Sequence, residues 1–454
     1  MASTTYLQRT VSTTGSRRKA TFSAWIKKSK LGEQWFLNSG GNNSTGYNIK
    51  IGFGSDDEIF IINSSGSTNL RYQTTRRLKD TSAWYHIVVV FDTDNSTSGD
   101  RVKVYINGNR ETSFFNVTVP SLNLDLEMNQ NTSSKNLMAI GTRYNTGDLF
   151  DGLMSHVHWI DGTAYDASTF GSTDLTTGEW NINTAPSVNY GTNGFFILKD
   201  DNAVTDRSGQ GNNFTLGAGT LSKTEDNPSN VFASINNLLG SDVVGSTVSY
   251  ASANTDVKDP NGSASGINPN FISTLGMPSK GKWYCEVQPL AFSTGSGHSI
   301  GIYRTKGSTD DTGEGTLEGD GAKIRYIYAD TSIYIIKYGS NDQTGLTSIS
   351  ASQTVGMALD LDNGTLQYYV NGSTRANAIT GINSANDGYD YFFHAGLESS
   401  SSGRYGRYYW NFGNGSFAGV QLTGTTYQDS QGRGIFKYQP PTNFLALCTR
   451  NLNI

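Results

Sequence analysis

Two cysteines in 454 residues, Cys285 and Cys448, are too few for a disulfide framework. Both read as small, buried apolar side chains. Charge is scarce too: 16% of residues are charged and the formal net charge is −5, with no basic stripe. That excludes a protein that tracks nucleic-acid phosphates. No apolar run approaches the length of a membrane span, and residues 1–9 hold no apolar signal-peptide core. The expectation is a soluble chain with no membrane insertion and no visible leader. Without a leader, sites such as Asn95-Ser96-Thr97 and Asn131-Thr132-Ser133 reflect composition and not glycosylation. Heptads, short repeats and collagen-like tracts are missing, so no fibrous shaft is encoded. Helical periodicity is hard to find anywhere.

What the chain does hold is 52 Gly, 24 Tyr, 21 Phe and 7 Trp among many Ser, Thr and Asn. Aromatic and β-branched residues suit a pleated surface, and Gly and Asn supply the positive φ of tight turns. Disorder is disfavoured by this aromatic content. Alternating or apolar runs bounded by turn residues predict strands at 21–27, 47–53, 58–63, 85–92, 101–107 and 153–160. A second set is predicted at 281–288, 299–303, 323–328, 332–337, 354–361, 366–370, 391–396 and 408–412. Asn107-Gly108 and Asn371-Gly372 end hairpin arms. The fold class is therefore all-β: two antiparallel β-sandwich (jelly-roll) domains in tandem, with little helix. The expected bounds are 1–166 and 249–420, with a Gly/Asn/Thr-rich connector at 167–248 and a tail at 421–454 that packs on a domain or partner. Trp25, Trp84, Tyr105, Trp283, Tyr369 and Phe412 are expected at or near the cores. Alternation puts Phe22, Ala24 and Ile26 on one face of a half-buried strand and Ser23 with Trp25 on the other.

The first half resembles laminin-G-like, concanavalin-type jelly rolls. The residues that carry this are Thr21-Phe22-Ser23-Ala24-Trp25-Ile26, Trp84-Tyr85-His86-Ile87 leading to Phe91-Asp92, Val102-Lys103-Val104-Tyr105-Ile106-Asn107-Gly108, and Phe150-Asp151-Gly152-Leu153 before Val157-His158-Trp159. The second half resembles SPRY sandwiches through Gly281-Lys282-Trp283-Tyr284-Cys285-Glu286-Val287, Ile300-Gly301-Ile302, the hairpin 356–372, and Asn411-Phe412-Gly413 with Phe417. Residues 303–352 match that family poorly. The whole arrangement resembles surface proteins of marine-type bacteriophages. Gly194-Phe195-Phe196, the turn Ser208-Gly209-Gln210-Gly211-Asn212-Asn213, and the ending Pro440-Pro441-Thr442-Asn443-Phe444-Leu445-Ala446-Leu447 before Asn451-Leu452 carry that likeness. It implies a place on the virion surface, on tail or capsid, beside other virion proteins.

Catalytic patterns are incomplete. Laminarinase-like jelly rolls set carboxylates on alternate positions of one strand, about 5 Å apart for retaining hydrolysis. In Asn123-Leu124-Asp125-Leu126-Glu127 an amide stands where the nucleophile belongs, leaving an ordinary strand with its polar face to solvent. Only His86, His156, His158, His298 and His394 could serve as imidazole bases. Gly297-His298-Ser299-Ile300-Gly301 has the spacing of a nucleophile elbow, but it opens a strand and does not join one to a helix. His156 and His158 sit at a spacing suited to two metal ligands on one strand face, without a nameable third. Gly313-Glu314-Gly315 begins like a phosphate loop, but Glu318 stands where glycine is needed. No enzyme is expected.

Binding is the favoured class: a tail-fibre or adhesin-type protein that takes a host-surface glycan or other receptor. The rival reading is a decoration or fibre protein with no ligand of its own. The resemblance to SPRY domains implies a rim built from Arg304, Asp310, Asp311, Glu314, Tyr405 and Arg407, a mixture able to bond hydroxyls and carboxylates. Resemblance to laminin-G domains implies calcium, with Asp92, Asp94, Asn95 and Asp100 as its ligands; the alternative is an Asx-rich hairpin turn. No other cofactor is required. Uncovered sandwich edges point to a homo-oligomer.

Overall fold

The architecture is that of a computed structural model, which describes residues 4–41, 46–132, 134–143, 148–199, 203–237, 248–259, 270–292, 297–305, 324–328, 333–337, 340–346, 349–382, 390–398 and 406–452. Strand makes up 49% and helix 3% of the described residues, so the period-two patterning governs the fold class. The chain divides into two compact units, Met1–Lys223 and Thr224–Ile454. Among the described residues no helix is long and apolar enough to cross a membrane.

In the first unit an eight-stranded antiparallel sheet runs in the order Phe114–Thr118, Thr68–Arg77, Glu58–Ser65, Tyr47–Phe53, Gln34–Gly40, Leu137–Ile140, Tyr6–Thr10, Thr215–Ala218. A six-stranded sheet faces it: Phe195–Ile197, Gly152–Asp161, Lys19–Lys28, Tyr85–Asp92, Val102–Ile106, Asn109–Arg110. Their inner faces bury Phe22, Ala24, Ile26, Ile87 and Val89 together with Ile49, Ile51, Phe53, Ile59 and Ile61. The other face of the Lys19–Lys28 strand is not half-exposed as alternation alone predicts. Ser23 and Trp25 are buried as well. A third layer from residues 164–190 covers them: Phe170, Trp180 and Tyr190 pack in the cluster that holds Val88, Val90, Ile160 and Phe196. Each large side chain so covered contributes roughly 1.5–3 kcal/mol.

The Asn107-Gly108 turn has φ of 47° and 76°, the left-handed pair that a two-residue hairpin needs. Gly108 is required a second way, since a Cβ there would lie 2.4 Å from the Trp180 ring. Tyr105 stays half-buried against the third layer and donates to Asp166 Oδ1 at 2.9 Å.

The second unit repeats the plan. One sheet runs Ser249–Ala251, Asp256–Asp259, Gly406–Asn411, Lys282–Phe292, Val355–Asp360, Thr365–Val370, Ser373–Thr380. Leu445–Ala446 adds to it by pairing in parallel with Lys282–Phe292. The other runs Asn270–Ile272, Asp390–Glu398, Gly297–Thr305, Ile324–Tyr328, Ile333–Lys337, Ser340–Leu346. Trp283, Cys285, Val287, Met357, Leu359, Tyr408, Trp410 and Phe412 fill the core between them. On the outer face, Tyr284 and Ala358 are covered by Phe232, Phe436, Ala446 and Cys448, with Tyr369 half-buried at the edge of that cluster. Cys285 and Cys448 are free thiols, both buried.

Segment 167–248 is thus not one connector. Its first part belongs to the first unit, where Phe195–Ile197 and Thr215–Ala218 are sheet strands and Phe214 is core. Its last part gives Phe232 and Ile235 to the second. Residues 421–454 are part of the second unit.

Candidate functional site

The rim drawn from the sequence is only partly within view. Asp310, Asp311, Glu314 and Tyr405 lie outside the described residues. Arg304 sits half-buried on the Gly297–Thr305 strand, in register with Tyr391. Arg407 belongs to a strand and not to a free loop. Its guanidinium grips Asp256 through two bonds, Nε to Oδ1 at 2.8 Å and the second nitrogen to Oδ2 at 2.6 Å, and lies 4.9 Å from the Tyr409 ring centre. Carboxylate and guanidinium thus satisfy each other.

The 92–100 loop places its acids beside cations of this chain. Asp92 lies 3.6 Å from Lys19, Asp94 lies 3.5 Å from Arg18 and 3.6 Å from Lys19, and Asp100 lies 2.6 Å from Arg110. Asn95 Oδ1 accepts from the Thr97 N–H at 2.9 Å, the Asx turn that hairpins use. Calcium there would compete with three internal cations. Among the described residues no group of three or more His, Cys, Asp or Glu could hold a metal.

The segment 123–127 is not a strand. Asn123 has φ of 59°, Leu126 is buried in the core, Asp125 meets Arg18 at 2.7 Å, and Glu127 is held by Arg17 and Lys135. Its alternation therefore presents no row of groups to a substrate. Ser299 is buried within the Gly297–Thr305 strand, away from any strand-to-helix elbow. A bulge between Ser155 and His158, with His156 at φ 49°, breaks the strand face that was to carry both histidines. His158 is stacked 3.9 Å from Phe196 and shares a 2.9 Å bond with Tyr190 Oη. Burial pushes its pKa well below the usual histidine range, with the charge of His156 adding to the effect.

Two open grooves are bounded by described residues. In the first unit, a groove of about 460 Å³ is lined by Gln8, Arg9, Thr10, Ser12, Leu137 and the 211–215 turn. It has no aromatic wall. Asn212, its central amide, is already bonded to the carbonyls of Thr192 at 2.9 Å and Gly194 at 2.8 Å. The second groove, of about 350 Å³, lies in the second unit.

That groove follows from strand alternation. Tyr408 and Trp410 point into the core, so Tyr409 between them must point out. Gln288, its register partner on the neighbouring strand, points the same way. Half of this outer face is closed by residues 425–448, and the other half is left open. Tyr409, Gln288, Phe417 and Lys437 border the opening together with Val420–Gln421 and Leu422, Thr423, Thr425 and Thr426. Tyr409 is half-buried, while Val420 is 72% exposed. Gln288 donates to Thr354 Oγ1 at 2.9 Å, which fixes the amide beside the groove. An aromatic ring, an amide, several hydroxyls and one ammonium are the groups that take up a polyhydroxylated ring by face contact and hydrogen bonds. Sequence reasoning missed residues 420–426, because a Gly- and Thr-rich run without periodicity carries no sign of what it packs beside. The outward Tyr409 was legible in the alternation Tyr408-Tyr409-Trp410.

Beneath the covered half lies Glu286, fully buried. It accepts from the backbone N–H groups of Lys437 at 2.9 Å and Tyr438 at 2.8 Å and from Asn411 Nδ2 at 3.0 Å. Burial pushes its pKa up to about 7, against the downward pull of those donors.

No curated protein matches the sequence. Among solved structures the chain is similar to the SPRY domain of human HERC1, at 13% identity and a TM-score of 0.26, covering 34% of this chain and 87% of that one. It is similar to the TRIM65 PSpry domain, at 13% identity and a TM-score of 0.28, covering 39% and 91%. A native heptameric SAP-like pentraxin from Limulus polyphemus gives 16% identity and a TM-score of 0.28, covering 43% and 89%. The first unit, through residues 2–168, matches the family described as the concanavalin A-like lectin/glucanases superfamily, and its β-sandwich is of that lectin/glucanase-like kind.

Proposed function

We propose that this chain is a glycan-binding protein and not an enzyme, and that the saccharide lies in the groove around Tyr409. The observation that supports this most directly is the outward Tyr409 ring, flanked by the fixed amide of Gln288 and a wall of threonines. The irregular 123–127 segment and the buried Ser299 weigh against hydrolysis. A location on a bacteriophage particle, as a tail-fibre or adhesin-type component, rests on the sequence resemblance alone. Self-association is supported by the Phe114–Thr118 strand, which ends its sheet and exposes Phe115, Val117 and, just beyond it, Val119. A monomer by light scattering would remove that part of the reading.

The test of binding is a glycan array probed with the full chain and with Tyr409→Ala. Binding to a defined saccharide that the variant loses is the expected result. Silence on the array, together with tight incorporation into particles, would replace this reading with that of a decoration protein. Unchanged binding by the variant would move the site elsewhere.

A further inference from the structure

The residues that line the second unit's groove carry one formal charge, the ammonium of Lys437, and no acid. The acids on this face are engaged elsewhere. Asp256 is held by both arms of Arg407. Glu286 is buried beneath the covering segment, where two backbone N–H groups and the Asn411 amide enclose it. Its charge does act on Lys437, whose own N–H it accepts.

Lys437 itself is poorly matched. Among the described residues its Nζ forms no ion pair; its hydrogen bond to Thr354 Oγ1 is long, 3.4 Å, and the Tyr438 ring centre lies 5.5 Å away. Its backbone is nevertheless fixed, because the Lys437 N–H is bonded to Glu286. Two cations of the sheet beneath it are ion-paired: Lys282 meets Asp360 at 2.5 Å and Arg407 meets Asp256 at 2.6 Å. In a protein of net charge −5, an ammonium with no ion pair among the described residues, at the edge of an otherwise neutral groove, creates a local preference for anions.

We infer that the groove selects an acidic saccharide, with the sugar face on Tyr409 and its carboxylate or sulfate ester on Lys437. This rests on the glycan reading above and narrows it to a substrate class. A lysine is a compact point charge and does not distinguish carboxylate from sulfate by geometry, so the shared chemistry is the anionic group.

The experiment is calorimetric titration of the full chain with a galacturonate tetramer, a sulfated galactan tetramer and a neutral cellulose tetramer, at low and high salt. Wild type is expected to prefer one or both acidic probes by at least tenfold at low salt, with the preference shrinking as salt rises. Lys437→Met should remove the preference, Lys437→Arg should retain it, and Tyr409→Ala should weaken every probe that binds. The two acidic arms tell carboxylate from sulfate. Equal affinity for acidic and neutral probes, or a preference that survives in Lys437→Met, overturns this inference and leaves the glycan reading standing. Binding of none of the three by folded wild type overturns both.

Discussion

At the scale of single residues, His86 shows how geometry decides chemistry. Its ring shares a 2.9 Å bond with Ser23 Oγ through Nε2, the arrangement of a nucleophile and its base. Yet Nδ1 accepts the indole N–H of Trp180 at 2.9 Å, and an indole nitrogen can only donate. In the neutral ring the proton must therefore sit on Nε2 and point at Ser23, so no lone pair is left to deprotonate the serine. Trp25 stacks on the same ring at 4.9 Å. Burial, then the charge of His156, pushes the pKa of His86 from 6.5 down to about 3. The unfolded chain takes up a proton below about pH 6.5 that the folded chain refuses until about pH 3. Stability in the first unit should thus fall with acidification across that window, by about 1.4 kcal/mol per pH unit for this residue. His158 acts in the same direction. Urea midpoints of the wild type should drop more steeply between pH 6.5 and 4 than those of His86→Gln. Parallel slopes would show that His86 titrates normally.

At the scale of an element, the covering segment of the second unit depends on Glu286. Residues 425–448 have little apolar periodicity, and their hold on the sheet combines Phe436, Ala446 and Cys448 with the bonds from Lys437 and Tyr438 to one carboxylate. Glu286→Ala leaves two part-buried N–H groups without an acceptor, at up to roughly 1–3 kcal/mol each. Limited proteolysis read by mass spectrometry should then find faster cleavage within 425–448, and an unchanged pattern would disprove the anchoring role. The pH sign is opposite to that of His86. Between 4.5 and about 7 the folded chain keeps a proton that the unfolded chain has released, so the contribution of Glu286 declines as pH rises through that interval. The strands themselves were legible: 47–53 and 85–92 were read with the bounds the structure has. The covering segment 425–448 of the second unit was not, since it is held by contacts distant in sequence.

At the scale of the whole molecule, the two units share one design, a sandwich whose outer face is closed by chain that follows it. For the first unit this makes residues 167–223 part of the fold, supplying Phe170, Trp180, Tyr190, Phe195, Ile197 and Phe214. A fragment ending at residue 166 would expose Trp25, His86, Val88 and Val90 and lose one strand from each sheet. It is expected to aggregate or remain unfolded, whereas a fragment of residues 1–223 should melt cooperatively by near-ultraviolet circular dichroism. Cooperative melting of the 1–166 fragment with native near-ultraviolet signal would show the third layer to be dispensable.

The sequence by itself determined the all-β class, the strands with the clearest alternation and the inward residues of the Lys19–Lys28 strand, because side chains alternate with a period of two and turn residues mark where runs end. It also carried the Asn107-Gly108 turn, whose backbone demands are local. Only the tertiary structure decided the division after Lys223, the burial of Ser23 and Trp25 on a second face, the capture of Arg407 by Asp256, and the groove at Tyr409. Each of these rests on residues far apart in sequence, Asp256 and Arg407 by 151 positions and Glu286 and Lys437 by the same number. Local pattern says which way a side chain points from its strand. What meets it there is settled by long-range packing.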